Sequence, residues 1–265
     1  MSFEDIIYDK TGPVATITIN RPQVLNAFRR ETVDEMVDAF LDAWADRAIQ
    51  AVILTGAGDR AFCTGGDQSK RADGAYKSEV PARLPTGIDM DALHSVIRDI
   101  PKPVIAAVNG YAIGGGHVIH VLCDLTLASD KAKFGQVGPK VGSVDAGFGT
   151  AYLVSLVGEK KAREIWYMCR QYTAQEALQM GLVNAVYPHE ELMDQARTWA
   201  MEIAERSPTA IKLAKQSFNF ASEQYRALGN FATSALAMYY ETDEAKEGRN
   251  AFMEKRKPDF NKYAK

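Results

Sequence analysis

Twice in its first half this chain runs a short β-branched segment into a turn crowded with glycine: AVILT (51–55) leads to AFCTGGDQ (61–68), and PVIAAV (103–108) leads to GYAIGGGHV (110–118). Such runs, flanked by turn residues, read as buried strands; a third, VATITI, stands at 14–19. Glycine after a strand permits backbone conformations closed to other residues and lets a ligand approach main-chain N–H groups. Neither turn is a phosphate loop, since both GxxxxGKS/T and GxGxxG are missing. Taken singly, each turn is read most simply as a packing requirement. Taken together, two N–H groups aimed at one point from separate turns form an oxyanion hole, which stabilises charge developing on a carbonyl oxygen.

Between the first two strands, Val33, Met36, Val37, Phe40, Leu41 and Trp44 recur at helical spacing, which predicts one helix over 32–46 with an apolar face on a sheet. Beyond residue 158 strand signals thin out. Residues 159–169, 174–180, 190–206, 209–221 and 227–256 read as successive helices, with Pro208 near one start and Gly181 just past one end. The expected class is therefore α/β, with a core over 1–200 followed by a helical region over 201–265.

The chain of 265 residues is 46% hydrophobic and 25% charged, the balance of a soluble globular protein. A net charge of −3 gives no general attraction for nucleic acid or an anionic membrane. Cys63, Cys123 and Cys169 lack CxxC spacing and fit reduced thiols, and no window reaches the length of a bilayer span, so a cytoplasmic location is expected. His94, His117, His120 and His189 show no metal-ligand spacing, and no metal is expected. The basic end, 254–265, reads either as a solvated tail or as a segment reaching a neighbouring subunit's anionic ligand.

A third glycine-rich stretch, FGQVGPKVGSVDAGFG (134–149), holds a lone carboxylate, Asp145, near the hydroxyl of Ser143. Asp145 either caps a helix that starts near Gly147 or is a poised acid/base. The residues alone leave both readings open.

In this order and at these distances, NRPQVLNAF, AFCTGGDQ, GYAIGGGHVIHVLCDLTLAS and FGQVGPKVGSVDAGFG resemble the enoyl-CoA hydratase/isomerase (crotonase) superfamily over nearly the whole chain. The resemblance implies a spiral of ββα units, with C-terminal helices that build homotrimers and often homohexamers. It implies a small-molecule acyl-CoA substrate, with coenzyme A present only as part of the thioester, whose carbonyl lies between the N–H groups of Gly66 and Gly115. Leu25, Ala27, Thr64, Asp67, Gln68 and Lys255 carry over as coenzyme A contacts, the last from a neighbouring subunit. The superfamily's hydratases place glutamates at two positions held here by Val118 and Gly138. Adding water across an enoyl double bond then lacks its acid–base pair.

Ser143, Asp145, GGDQ, GQVGPK and KKAREIWYMCRQY are similar to two ring-chemistry branches of the superfamily. One, 2-ketocyclohexanecarboxyl-CoA hydrolase, opens a ring with water; the other, dihydroxynaphthoyl-CoA synthase, closes one by Dieckmann condensation. Ser69 after GGDQ and Val144 between Ser143 and Asp145 bring the chain nearer the hydrolase. The resemblance implies that Asp145 activates water, with Ser143 ordering its hydrogen bonds. Tyr240 then stabilises an alkoxide, and Tyr76, in a loop over 69–89 expected to act as a lid, bonds a substrate oxygen. Gln136 and Trp166 correspond to residues that hold a bicarbonate ion in some synthases, with Gly138 leaving it space. Lys70 and Arg71 read as solvated or as phosphate partners. A non-catalytic acyl-CoA-binding protein is a third reading, against which Ser143, Asp145 and Tyr240 count.

Overall fold

The computed structural model describes residues 3–72, 75–76 and 86–264. The chain opens with an antiparallel hairpin of β1 (Ile6–Thr11) and β2 (Val14–Ile19), continues through helix α1 (Arg30–Ala45), and enters β3 (Ala51–Gly56) and β4 (Ala61–Cys63). A two-stranded hairpin, β5 (Arg71–Ala72) with β6 (Ala75–Tyr76), and helix α2 (Met90–Asp99) follow. Next come β7 (Val104–Val108), β8 (Tyr111–Ile113), α3 (Gly115–Leu122), β9 (Leu125–Ser129) and β10 (Lys133–Gly135). Helices α4 (Leu153–Val157) and α5 (Glu159–Met168) then lead to β11 (Gln171–Thr173), α6 (Ala174–Gln179) and β12 (Ala185–Tyr187). The chain closes with α7 (Leu192–Ala204), α8 (Pro208–Ala221), α9 (Gln224–Tyr240) and α10 (Asp243–Met253).

In the core of the fold, strands alternate between two sheets. One sheet runs β1-β2-β3-β7-β9-β12 and the other β11-β10-β8-β4. The pairs β3/β4, β7/β8 and β9/β10 thus each give one strand to each sheet, and their order is the same in both. All the β3–β7, β7–β9, β4–β8 and β8–β10 pairings are parallel. That repetition is a spiral of strand–strand units, as the resemblance implied. Parallel strands covered on both faces need continuous apolar runs, and every residue of β3 and β7 is buried.

Two packed clusters fill the fold. The larger joins α1, α2 and α3 through Val33, Met36, Phe40, Leu93, Ile97 and Ile119. The smaller covers the other face of the large sheet, where Leu192, Ala196 and Ala200 of α7 meet Ile53, Ile105 and Leu127. Helix α7 therefore runs across position 200 and packs on the core sheet. In α1 the expected face is narrower than its sequence suggests: Val33, Met36 and Phe40 are buried, whereas Leu41 and Trp44 are exposed. The stretch 227–256 is two helices rather than one. Thr242 takes extended dihedrals, its side chain accepts from Ala245 N–H, and Asp243 and Glu244 occupy the first turn of α10. Among the described residues, no helix is long and apolar enough to cross a membrane.

The C-terminal helices are tied to the core by a buried cation. Lys215 of α8 donates to Ile97 O, Lys102 O and the Asp124 carboxylate at 2.9, 3.0 and 2.6 Å. Asp124 in turn accepts from Val104 N–H at the start of β7. One ion pair thus fixes α8 to α2 and to the edge of the spiral.

Candidate active site

The two glycine turns meet. Gly65 and Gly114 lie at φ +86° and +59°, a region that strains any residue with a Cβ. A Cβ on Gly65 would lie 2.9 Å from Gly115 N, so the turn after β4 is in contact with the turn after β8. The first turn is held by Phe28, whose N–H donates to Gly65 O at 2.8 Å and whose carbonyl accepts from Asp67 N–H at 2.8 Å. Gly115 opens α3, where first-turn N–H groups have no partner inside the helix. Gly66 and Gly115 both line a cavity of about 150 Å³. A side chain at either would displace an aromatic neighbour: a Cβ would lie 2.7 Å from the Phe28 ring at Gly115 and 1.9 Å from the Tyr76 hydroxyl at Gly66.

Thr64, Gln68, Tyr76, Gln136, Ser143, Asp145, Trp166 and Tyr240 also line this cavity. Of the expected loop over 69–89, residues 73–74 and 77–85 lie outside the described residues, and with them the test of a lid. The described part is packed rather than open: Arg71 pairs with Tyr76 across the β5–β6 hairpin, and Tyr76 N–H donates to Thr86 O at 3.0 Å.

Asp145 caps a helical start, as one of its two sequence readings expects. Its Oδ1 accepts from the N–H groups of Gly147 and Gly149 at 2.9 and 3.1 Å, capping a π-helical turn over Phe148–Tyr152. The same carboxylate lines the cavity. Ser143 does not order it, contrary to expectation. Ser143 Oγ and the Tyr240 hydroxyl share a 3.0 Å hydrogen bond instead, which joins the loop after β10 to the end of α9. Burial raises the Tyr240 phenol, opposed by the Arg71 guanidinium and the Ser143 bond. It is therefore a neutral donor at ordinary pH.

Arg71 is neither solvated nor poised for a phosphate. It is 1% exposed, its guanidinium stacks 3.9 Å from the Tyr240 ring centre, and it donates to Gly142 O and Ala245 O at 3.1 and 3.2 Å. It positions Tyr240 while linking the β5–β6 hairpin, the Ser143 loop and α10. Asp67 likewise has a positioning role. It is buried, pairs with Arg21 at 3.1 Å and accepts from Ser69 N–H at 3.1 Å. Leu25, Ala27, Asp67 and Lys255 all lie outside the cavity lining. Leu25 lies close by: its carbonyl accepts from Thr64 Oγ1–H at 3.2 Å.

The N–H groups of Gln136 and Trp166, expected to hold a bicarbonate ion, have partners within the protein. The single Trp166 N–H donates to Gly149 O at 2.6 Å, and Gln136 Nε2 donates to Gly114 O and His117 Nδ1 at 3.4 and 3.3 Å. Gly138 lines the cavity but has no room for a side chain. A Cβ there would lie 2.6 Å from Ser143 O and 3.1 Å from the Trp166 ring, so the position admits neither an anion's partner nor a glutamate without backbone movement. Val118, at the other hydratase position, is buried and also lines the cavity.

Two ionisable residues to which the sequence assigns no site role also line the cavity. Asp91 and His94 stand one turn apart on α2, and both face the cavity. Asp91 accepts from Thr233 Oγ1–H of α9 through both oxygens, at 3.1 and 3.0 Å. The i, i+3 spacing was visible in DALHSV, but only the docking of α9 reveals which face is covered. Burial lowers the His94 imidazole, opposed by the Asp145 and Asp91 carboxylates.

Comparison with known proteins agrees with this geometry. The model of the enoyl-CoA hydratase/isomerase family matches residues 9–263. An enoyl-CoA hydratase/isomerase from Pseudoalteromonas atlantica T6c superposes with TM-score 0.87 at 28% identity, covering 97% of this chain and 100% of that one. An enoyl-CoA hydratase from Mycobacterium avium subsp. paratuberculosis K-10 gives 0.84 at 26%, covering 98% and 99%. One from Bacillus anthracis gives 0.75 at 31%, covering 97% and 98%. With its sheets wound strand by strand and its glycine turns in contact over one cavity, this chain belongs to the enoyl-CoA hydratase/isomerase, or crotonase, family.

Proposed function

We propose that this enzyme opens a cyclic β-ketoacyl-CoA, such as 2-oxocyclohexane-1-carboxyl-CoA, by adding water, to give a linear dicarboxylyl-CoA (pimeloyl-CoA for that substrate). The solved relatives carry the name enoyl-CoA hydratase, but the reading rests on the acid inventory of this cavity. Where the hydratases' two glutamates stand, it has Val118 and a glycine with no room for a side chain; Asp145 supplies a carboxylate from another direction. Ring opening needs one acid/base group, a donor for an alkoxide and a sink for an enolate, and the cavity residues supply each.

In this mechanism the thioester oxygen lies at the N–H groups of Gly66 and Gly115. Water, activated by Asp145, forms a bond to the ring-ketone carbon, and the carbonyl π pair moves onto oxygen. Tyr240, held by Ser143 and Arg71, donates to that oxygen. Collapse restores a carbonyl and breaks the bond to the α-carbon. Its electron pair delocalises onto the thioester oxygen as an enolate stabilised by the glycine N–H groups. The proton that water gave up through Asp145 then adds to the α-carbon, and the new carboxylic acid at the opposite end ionises to a free carboxylate.

Turnover of 2-oxocyclohexane-1-carboxyl-CoA measured beside that of succinylbenzoyl-CoA and crotonyl-CoA tests the reading. The expected result is ring opening of the first and at most trace activity on the others. Preferential conversion of succinylbenzoyl-CoA to a bicyclic product would replace it with the ring-closing reaction, and preferential hydration of crotonyl-CoA with that of the named relatives.

A further inference from the structure

The buried imidazole of His94 has no role in the mechanism as written. It lies on α2, lines the same cavity as Asp145, and is 6% exposed. Its Nε2 is buried without a hydrogen-bond partner. Buried polar atoms are nearly always satisfied, so an orphan in a cavity wall needs an explanation. The ring packs edge-on against Phe148, with centroids 5.9 Å apart, and Phe148 belongs to the turn that Asp145 caps. Asp91 from its own helix and Asp145 from the loop after β10 are the acids that act on it. Arg98, one turn further along α2, places its guanidinium 5.1 Å from the Phe148 ring centre.

We propose that His94 is a second acid–base residue of this site, receiving the proton that water gives up through Asp145 and returning it to the α-carbon of the departing enolate. The proposal rests on the ring-opening reading and completes its proton balance. As water's oxygen bonds to the ketone carbon, its proton passes to Asp145 and on, by way of water in the cavity, to the imidazole, giving an imidazolium stabilised by the Asp145 and Asp91 carboxylates. When the carbon–carbon bond breaks, that proton moves to the α-carbon and His94 is neutral again. Burial keeps the imidazole neutral at rest, and the Asp145 and Asp91 carboxylates favour the charged form that it becomes on taking the proton.

The test uses the full-length enzyme and two variants. His94→Gln is expected to lose about 10²–10⁴ in kcat, with KM within about threefold of the parent and one limb of the kcat/KM pH profile gone. A kcat within threefold of the parent, or a retained limb, overturns the proposal. Nitrogen-15 histidine spectra of the parent and of Asp145→Asn decide it even if His94→Gln does not fold. Removing the carboxylate is expected to lower the His94 titration midpoint by about half a pH unit or more, and an unmoved midpoint overturns the pairing. If the parent does not open the ring at all, the ring-opening reading falls on its own. Deuterium exchange at the α-carbon of a bound β-ketoacyl-CoA then judges His94: a rate about 10²-fold lower in His94→Gln supports it, and equal rates overturn it.

Discussion

Ser143 and Tyr240 stand 97 residues apart and share one hydrogen bond, so removing either hydroxyl leaves the other without that partner at the cavity wall. Ser143→Ala and Tyr240→Phe are each expected to lower kcat, Tyr240→Phe by about 10² as for loss of a charge-stabilising donor. The double variant is expected to be little worse than Tyr240→Phe alone, because coupled groups are not additive. Kinetics on the four proteins check this; independent, multiplying losses would mean that the bond does not matter to turnover. What was legible at this scale followed chain distance. The two glycine turns could be read because glycine after a strand is a local signal, while the choice of Gly66 and Gly115 within them came from the resemblance. Arg71 could not, because the carbonyls that it bonds lie 71 and 174 residues away. Asp145 could be read only as a choice between capping and chemistry, of which the geometry shows the capping.

Among the elements, long patterned segments were legible and three-residue strands were not. VATITI is β2 in full, and AVILT and PVIAAV fall on β3 and β7. The second sheet, by contrast, is built from β4, β8, β10 and β11, each only three residues long, too short for an alternating pattern to register. The strand β1 was missed because most of its residues are exposed or half-buried and its sequence ends in charge. Helix α3 carries a consequence that its apolar sequence hides. It buries both His117 and His120, and burial holds His117 down at about 3 from an ordinary 6.5. Below pH 6.5 the unfolded chain protonates this group while the folded chain does not, so stability is present above that pH and is lost as pH falls toward 3. One such group contributes a slope of about 1.4 kcal/mol per pH unit. Urea unfolding between pH 6.5 and 5 is expected to show His117→Asn losing about 2 kcal/mol less than the parent. Parallel losses would contradict a neutral buried His117.

At the scale of the molecule, the C-terminal helices both wall the cavity and present apolar side chains outward. Gly229, Ala232, Thr233, Leu236 and Tyr240 of α9 face the cavity. Phe220 and Phe218 at the end of α8 are 83% and 77% exposed, and Phe231 and Met238 of α9 are exposed as well. Exposed apolar side chains in such numbers are characteristic of interfaces. Self-association is therefore expected, as the homotrimer or dimer of trimers that the resemblance implies, and sedimentation showing a stable monomer at micromolar concentration would contradict it.

The central claim, that Asp145 and the paired glycine turns direct water to a ring ketone, is tested most directly by following the oxygen. The enzyme is given 2-oxocyclohexane-1-carboxyl-CoA in H₂¹⁸O, and the product is analysed by mass spectrometry, beside Asp145→Asn. The account predicts one solvent oxygen in the new free carboxylate of a linear dicarboxylyl-CoA, with a rate about 10²–10⁴ lower in the variant and acyl-CoA binding retained. A label confined to a β-hydroxyl, an unopened ring, or an undiminished rate in Asp145→Asn would contradict it.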